Sequence, residues 1–206
     1  MRVDRPPPGE ELNRGPVTEA RPAASLILLR ASPAGPEVLL LRRNPAQRFM
    51  GGAWVFPGGA VHEEDADHAG AAVRELEEEA GITLPEDTPL VPFSRWITPA
   101  EVKVRFDTWF FAAPAPAGAR ASPDGSECVD VRWLRPAAAL EAHGRGELTL
   151  VFPTIKHLEE LAGFGSVTYV LETARGRVVE PIQPRVVVRG GAAEVVLPGE
   201  PGYEDD

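Results

Sequence analysis

A single cysteine, Cys128, stands among 206 residues, so no intrachain disulfide can staple the fold. Basic residues are outnumbered 21 to 31, and the net charge of -10 argues against generic binding to nucleic acid or an anionic membrane, both of which need a basic face. No run of eighteen apolar residues is present, and no apolar segment follows a basic amino-terminal start. There is no internal repeat, no Gly-x-x-x-x-Gly-Lys-Ser/Thr loop and no Gly-x-Gly-x-x-Gly fingerprint. The four histidines lack the paired spacing of a zinc site. These absences leave a soluble, cytoplasmic protein as the expectation.

The chain is long enough for one well-buried domain and too short for two large ones. Its 22 prolines and 20 glycines predict long turns and loose ends around a compact centre. Its densest chemistry is Arg74-Glu75-Leu76-Glu77-Glu78-Glu79-Ala80-Gly81-Ile82. At about 100° per residue, a helix here puts Glu75, Glu78 and Glu79 on one arc, beside an apolar arc of Ala72, Val73, Leu76 and Ala80. Runs of glutamate on a helix are usually a solvated face. Like charges at these spacings repel, however, and a hard divalent cation among them would relieve the cost. The preceding Phe56-Pro57-Gly58-Gly59-Ala60-Val61 favours that second alternative, because its two glycines make a turn whose backbone can approach another group closely.

Loop and helix together resemble the Nudix box: Gly, five residues, Glu, seven residues, then Arg-Glu-apolar-x-Glu-Glu-x-Gly-apolar. The match is complete from Arg74 to Ile82. Counting from Gly59, Asp65 stands at the family's glutamate position, and eight residues follow before Arg74, an insertion of one. The stretch from Leu39 to Gly59 is similar to the signature of coenzyme A diphosphatases, with Leu39, Leu40, Arg43, Arg48, Gly52 and Phe56 to Gly59 in register. Leu41 and Asn44 replace the signature's threonine and serine. Arg95-Trp96-Ile97-Thr98-Pro99 and Arg105-Phe106-Asp107-Thr108 resemble the acyl-CoA diphosphatase branch, some members of which are peroxisomal. No Ser-Lys-Leu address closes this chain.

The resemblance implies an α/β fold, a mixed β-sheet between helices, with a polar tail over residues 1–21, a Nudix domain over 22–165 and a helix with a small β extension over 166–206. Predicted strands are Ala24–Leu29 and Glu37–Leu41 as a central hairpin, Leu90–Ile97, Val102–Ala112 and Glu127–Leu134. Further strands are expected at Arg177–Val179, Arg185–Val188 and Glu194–Leu197. Helices are expected over Ala66–Ala80, Pro136–His143, Phe152–Leu161 and Val167–Thr173, and residues 1–21 as a mobile tail. The resemblance further implies that Glu75, Glu78, Glu79 and the Gly59 carbonyl hold Mg²⁺ or Mn²⁺. Arg42, Arg43 and Arg48 put permanent positive charge ahead of that loop, suited to phosphate oxygens. Arg74, off the ligand arc, is expected to orient the glutamates by pairing. Glu127 is the first candidate for general base, followed by Glu79 and Glu101. His62 and His68 are expected at the surface, His143 and His157 on helix surfaces, and Cys128 as a small buried strand residue.

The implied activity is hydrolysis of the diphosphate of coenzyme A or an acyl-CoA to 3',5'-ADP and (acyl-)phosphopantetheine. ADP-ribose, a dinucleotide or a nucleotide sugar is the alternative substrate, and a non-catalytic nucleotide-sensing module the alternative class. The partner is then a small nucleoside diphosphate derivative, with a homodimer as the candidate assembly.

Overall fold

A computed structural model describes residues 2–3, 12–13, 15–189 and 192–204. Its strands and helices run, in chain order, β1 (Arg2–Val3), β2 (Arg21–Ser32), β3 (Gly35–Arg43), β4 (Trp54–Val55), β5 (Gly58–Ala60) and α1 (His68–Ala80). There follow β6 (Val91–Ile97), β7 (Phe106–Pro114), β8 (Cys128–Leu134), α2 (Pro136–Gly144), α3 (Phe152–Leu161) and α4 (Val167–Arg175). The described chain closes with β9 (Pro181–Ile182), β10 (Arg185–Arg189) and β11 (Ala192–Val196).

The apolar runs of β2 and β3 are continuous because these strands are covered on both faces. Ile27, Leu29, Val38 and Leu40 point into one core with Ile155, Leu158 and Val170 of α3 and α4. Leu26, Leu28, Leu39 and Leu41 point into the other, with Ala72, Leu76 and Ala80 of α1. The result is a mixed sheet between helices. β2 runs antiparallel to β3 and parallel to β7, and β6 is antiparallel to β7.

The feature that positions the site is a fork. The β2–β3 ladder extends from Ser32↔Gly35 only to Leu29↔Val38. Beyond it the strands separate, and the 54–60 segment fills the gap: β4 pairs with β3 at Arg42↔Trp54, and β5 pairs with β2 at Ala24↔Gly59. Pro57 accepts hydrogen bonds from the Leu26 N–H at 2.9 Å and the Ser25 hydroxyl at 2.9 Å, fixing the bend between them.

Several expectations shift. The first helix starts at His68 rather than Ala66, because extended Asp67 caps it, accepting from the Gly70 N–H at 2.8 Å. Gly81 ends it in the left-handed conformation, φ 64°. The expected strand from Val102 begins only at Phe106: buried Arg105 folds back to donate to Thr98 O at 3.0 Å and Thr18 O at 2.6 Å, bending the chain there. Arg177–Val179 is no strand. Val178 is 84% exposed, and Arg177 is drawn onto the Phe93 ring and Glu160.

Of the expected mobile tail, residues 1, 4–11 and 14 lie outside the described residues. Among the others, β1 pairs with β11, and Thr18 donates to Lys103 O at 2.9 Å. β1, β11 and β10 form a separate antiparallel sheet. Glu101 clasps it to the body, accepting from the Val186 N–H at 3.2 Å with Arg185 3.7 Å away, and so it is not a candidate base.

His157, expected on a helix surface, is buried among Phe56, Phe93, Trp96 and Phe110. Its Nε2 lies 2.6 Å from Ser94 Oγ, while Nδ1 faces the Pro153 carbonyl without forming a hydrogen bond. Burial lowers its pKa to about 3, so it is neutral. His143 is half-buried, with Nδ1 3.1 Å from Leu148 O. Among the described residues no helix is long and apolar enough to cross a membrane.

Candidate active site

α1 lies across the fork and delivers its acids to the Gly58–Gly59 bend. Gly59 leaves room for Glu75: a Cβ there would come within 2.6 Å of the Glu75 carboxyl carbon in its present place. At Gly58 a Cβ would meet the Ser25 backbone at 2.8 Å. Glu75 and Glu79 are buried and Glu78 is exposed, yet all three line one cavity of about 610 Å³ with Gly58, Gly59 and Glu127.

Glu79 is the most enclosed. Its carboxylate accepts from the Gly58 N–H at 2.9 Å and from the Cys128 thiol at 3.5 Å, and Arg43 Nη1 stands 3.9 Å away. Burial raises its pKa to about 7 against the pull of the Gly58 N–H, with Glu75 adding to the rise. Burial also raises the pKa of Glu75, opposed by Arg74, while the charges of Glu78 and Glu127 push it further up. Cys128 is buried in β8, and burial followed by the Glu79 charge pushes its thiol pKa up, making it a poor nucleophile.

Arg74 reaches back across the acids. Its Nη1 donates to Glu75 at 2.8 Å and Glu78 at 2.9 Å, its Nη2 to Ala60 O at 3.0 Å, and its Nε and Nη2 to Asp65 at 2.9 Å each. It orients the acids through these pairings. Asp65 is fully engaged with Arg74, which holds its pKa down at about 2, helped by the His62 N–H. The inserted residue therefore leaves Asp65 as a clamp on Arg74.

Of the three arginines expected at phosphate, only Arg43 lines the cavity. Arg42 and Arg48 do not, and both are exposed. Alternation along β3 puts Arg42 on the opposite face, and Arg48 sits on the outside of the 45–50 turn. Arg43 also donates to Phe49 O at 3.3 Å, shaping that turn.

Glu127 is exposed at the cavity edge. Its loop is held by Asp124, which accepts the N–H groups of Ser126, Glu127 and Cys128 at 2.8 Å each. Burial opposes the ionised form of Asp124, but these donors outweigh it and bring the pKa to about 2. Asn44 ties the same loop down, donating to Ser126 O at 2.9 Å. The sequence reading missed Asp124, although Ser122-Pro123-Asp124-Gly125-Ser126 has the composition of an aspartate-capped turn. It also missed Arg21 and the apolar wall of Phe49, Phe106, Phe152, Val186 and Val195. Met50, with φ 53°, joins that wall in a conformation uncommon outside glycine.

A divalent cation suits this donor set. Two buried carboxylates of raised proton affinity face an exposed third, and a glycine leaves room for Glu75. Among the described residues no three His, Cys, Asp or Glu side chains close around one point, because Arg74 draws Glu75 and Glu78 to itself while Glu79 turns to Gly58.

The model of the NUDIX domain matches residues 19–152, the fork, α1 and the cavity floor included. The chain belongs to the Nudix family. As a Nudix hydrolase it acts on pyrophosphate bonds of nucleoside diphosphate derivatives, and members of the family generally use divalent metal ions. It is similar to a nudix hydrolase of Caenorhabditis elegans, at 28% identity over 93% of this chain and 78% of the relative. The human acyl-coenzyme A diphosphatase NUDT19 is 24% identical over 91% of this chain and 78% of that one. A crystal structure of a Nudix hydrolase from Alicyclobacillus acidocaldarius superposes with a TM-score of 0.67 at 27% identity, covering 75% of this chain and 96% of its own.

Proposed function

We propose that this Nudix hydrolase cleaves the diphosphate of coenzyme A or an acyl-CoA, releasing 3',5'-ADP and (acyl-)phosphopantetheine. The observation that carries this reading is that one cavity is lined both by acids with Arg43 and by the apolar side chains of Phe49, Phe106, Phe152, Val186 and Val195. A diphosphate alone would not need the apolar lining, whereas the pantetheine and acyl arm has the length and apolarity to use it. The name of the human relative, an acyl-coenzyme A diphosphatase, points the same way.

Glu75, Glu78, Glu79 and the Gly59 carbonyl would hold the cation, Mg²⁺ or Mn²⁺. When bound it neutralises charge on the diphosphate and makes a water nucleophilic. Arg43 binds a phosphate oxygen through its fork. Glu127, on its braced loop, takes the proton of the attacking water, with Glu79 as the second candidate. Arg74 is a positioning residue. A cytoplasmic setting accompanies the proposal.

The test is incubation with Mg²⁺ and coenzyme A, an acyl-CoA, ADP-ribose and a dinucleoside polyphosphate, with products resolved by mass. Release of 3',5'-ADP from coenzyme A supports the proposal. Intact coenzyme A beside consumed ADP-ribose overturns the substrate assignment. Tight binding with no turnover of any compound would favour the sensing module.

A further inference from the structure

Two guanidinium groups line the cavity among the described residues, Arg43 and Arg21. They are not equivalent. Arg43 has an acid beside it, Glu79, and its Nε is bonded to Phe49 O. Arg21 stands at the start of β2, its guanidinium carbon 4.8 Å from the centre of the Phe106 ring, and no carboxylate among the described residues pairs with it. Its backbone is fixed, with the N–H donating to Arg105 O at 3.0 Å and the residue in register with Phe106 of β7. A charged fork is thus held by a strand and an aromatic face at the rim of a cavity whose other charges are mostly acidic: Glu75, Glu78, Glu79, Asp124 and Glu127.

Its place relative to the acids follows from the ladder. Ala24 is opposite Gly59, and Arg21 is three residues earlier on the same strand. At about 3.3 Å per residue this is a separation of about 10 Å along β2. That offset along β2 suits a second phosphate on the molecule whose diphosphate is held at Gly59. Arginine forks match phosphate oxygens bidentately, and stacking on a ring leaves the N–H edge free to do so.

We propose that Arg21 binds a substrate phosphate outside the cleaved diphosphate, a ribose 3'-phosphate, and so selects nucleotides that carry one. This rests on the proposed diphosphatase reading and adds a specificity element that the sequence reading had assigned to a tail.

The test compares kcat/KM for coenzyme A and 3'-dephospho-coenzyme A in the wild type, Arg21→Ala and Arg21→Lys, at fixed Mg²⁺ and ionic strength. The wild type should prefer the 3'-phosphorylated compound by about 10- to 100-fold, as expected of one charge-assisted pair. Most of that preference should lie in KM. Arg21→Ala should bring the ratio near one, and Arg21→Lys should leave an intermediate ratio. Equal use of both compounds by the wild type, or a preference that survives Arg21→Ala, overturns the role of Arg21 while leaving the diphosphatase reading intact. A proportional loss on both compounds in Arg21→Ala also overturns it, since a stacking or structural role has no reason to distinguish them. Turnover of neither compound by the wild type overturns both readings.

Discussion

Gly58 and Gly59 are adjacent, yet alanine should do different things at each. A Cβ at Gly58 would press on backbone, 2.8 Å from Ser25 Cα, and neither β2 nor the bend can retreat without breaking the hydrogen bonds to Pro57 O. Overpacking of this kind costs about 1–3 kcal/mol. For a chain of this size 2 kcal/mol corresponds to a fall in Tm of about 4–8 °C. A Cβ at Gly59 meets only the end of the Glu75 side chain, which can swing away by giving up its bond to Arg74. Gly59→Ala should therefore cost less than about 1 kcal/mol of stability. It should still lower kcat about 100-fold, because the displaced carboxylate is out of place by an ångström or more. Thermal melts and steady-state rates on both variants separate the two effects. The double variant Gly59→Ala, Glu75→Gln should be no slower than Glu75→Gln alone, since both act through one carboxylate. Wild-type turnover by Gly59→Ala, or additive losses in the double variant, would refute the reasoning.

Arg43→Lys should reduce kcat/KM about 10-fold or more by losing the fork, whereas Arg42→Ala and Arg48→Ala, both off the cavity, should stay within about 3-fold in the same assay. Buried His157 binds a proton at pH 6.5 when unfolded but only near pH 3 when folded. The unfolded state is thus favoured as pH falls through that window, by on the order of 5 kcal/mol at its lower end. The raised pKa of Glu79 acts in the opposite sense over the same range, so the check is a difference between two proteins: from pH 7 to 4 the denaturant midpoint of His157→Phe should gain on that of the wild type. The Cys128 thiol should resist an aromatic disulfide reagent at pH 8 until denaturant is added, and rapid labelling of the native protein would contradict its burial.

What the sequence made legible is local or periodic. The acid arc, the Gly81 cap, the twin glycines and the bounds of α3 follow from spacing and turn chemistry over a few residues. His157 was legible in principle, because it lies one turn from Leu161 and one residue from Leu158, both buried, but a polar side chain was assigned outward by type rather than by position. Arg21 was not legible: it enters the cavity only because β2 pairs with β7, more than eighty residues away in the chain, and no local pattern announces a parallel partner. Arg42 was misassigned for a simpler reason. Along β3 successive side chains turn to opposite faces, so Arg42 points away from the side that Arg43 takes, and the run of arginines concealed that alternation. The strand expected at Arg177–Val179 had the composition, but Val178 stays exposed and Arg177 is spent on Glu160 and Phe93.

The central claim is that the acids of α1, gathered at the Gly58–Gly59 bend, take up a divalent cation. Titration of the protein with Mn²⁺, followed by the electron paramagnetic resonance signal of the free ion, measures this without any substrate. Saturable binding that weakens at least 10-fold in Glu75→Gln and in Glu79→Gln is the predicted result. Binding of the same strength in both variants and the wild type would contradict the account.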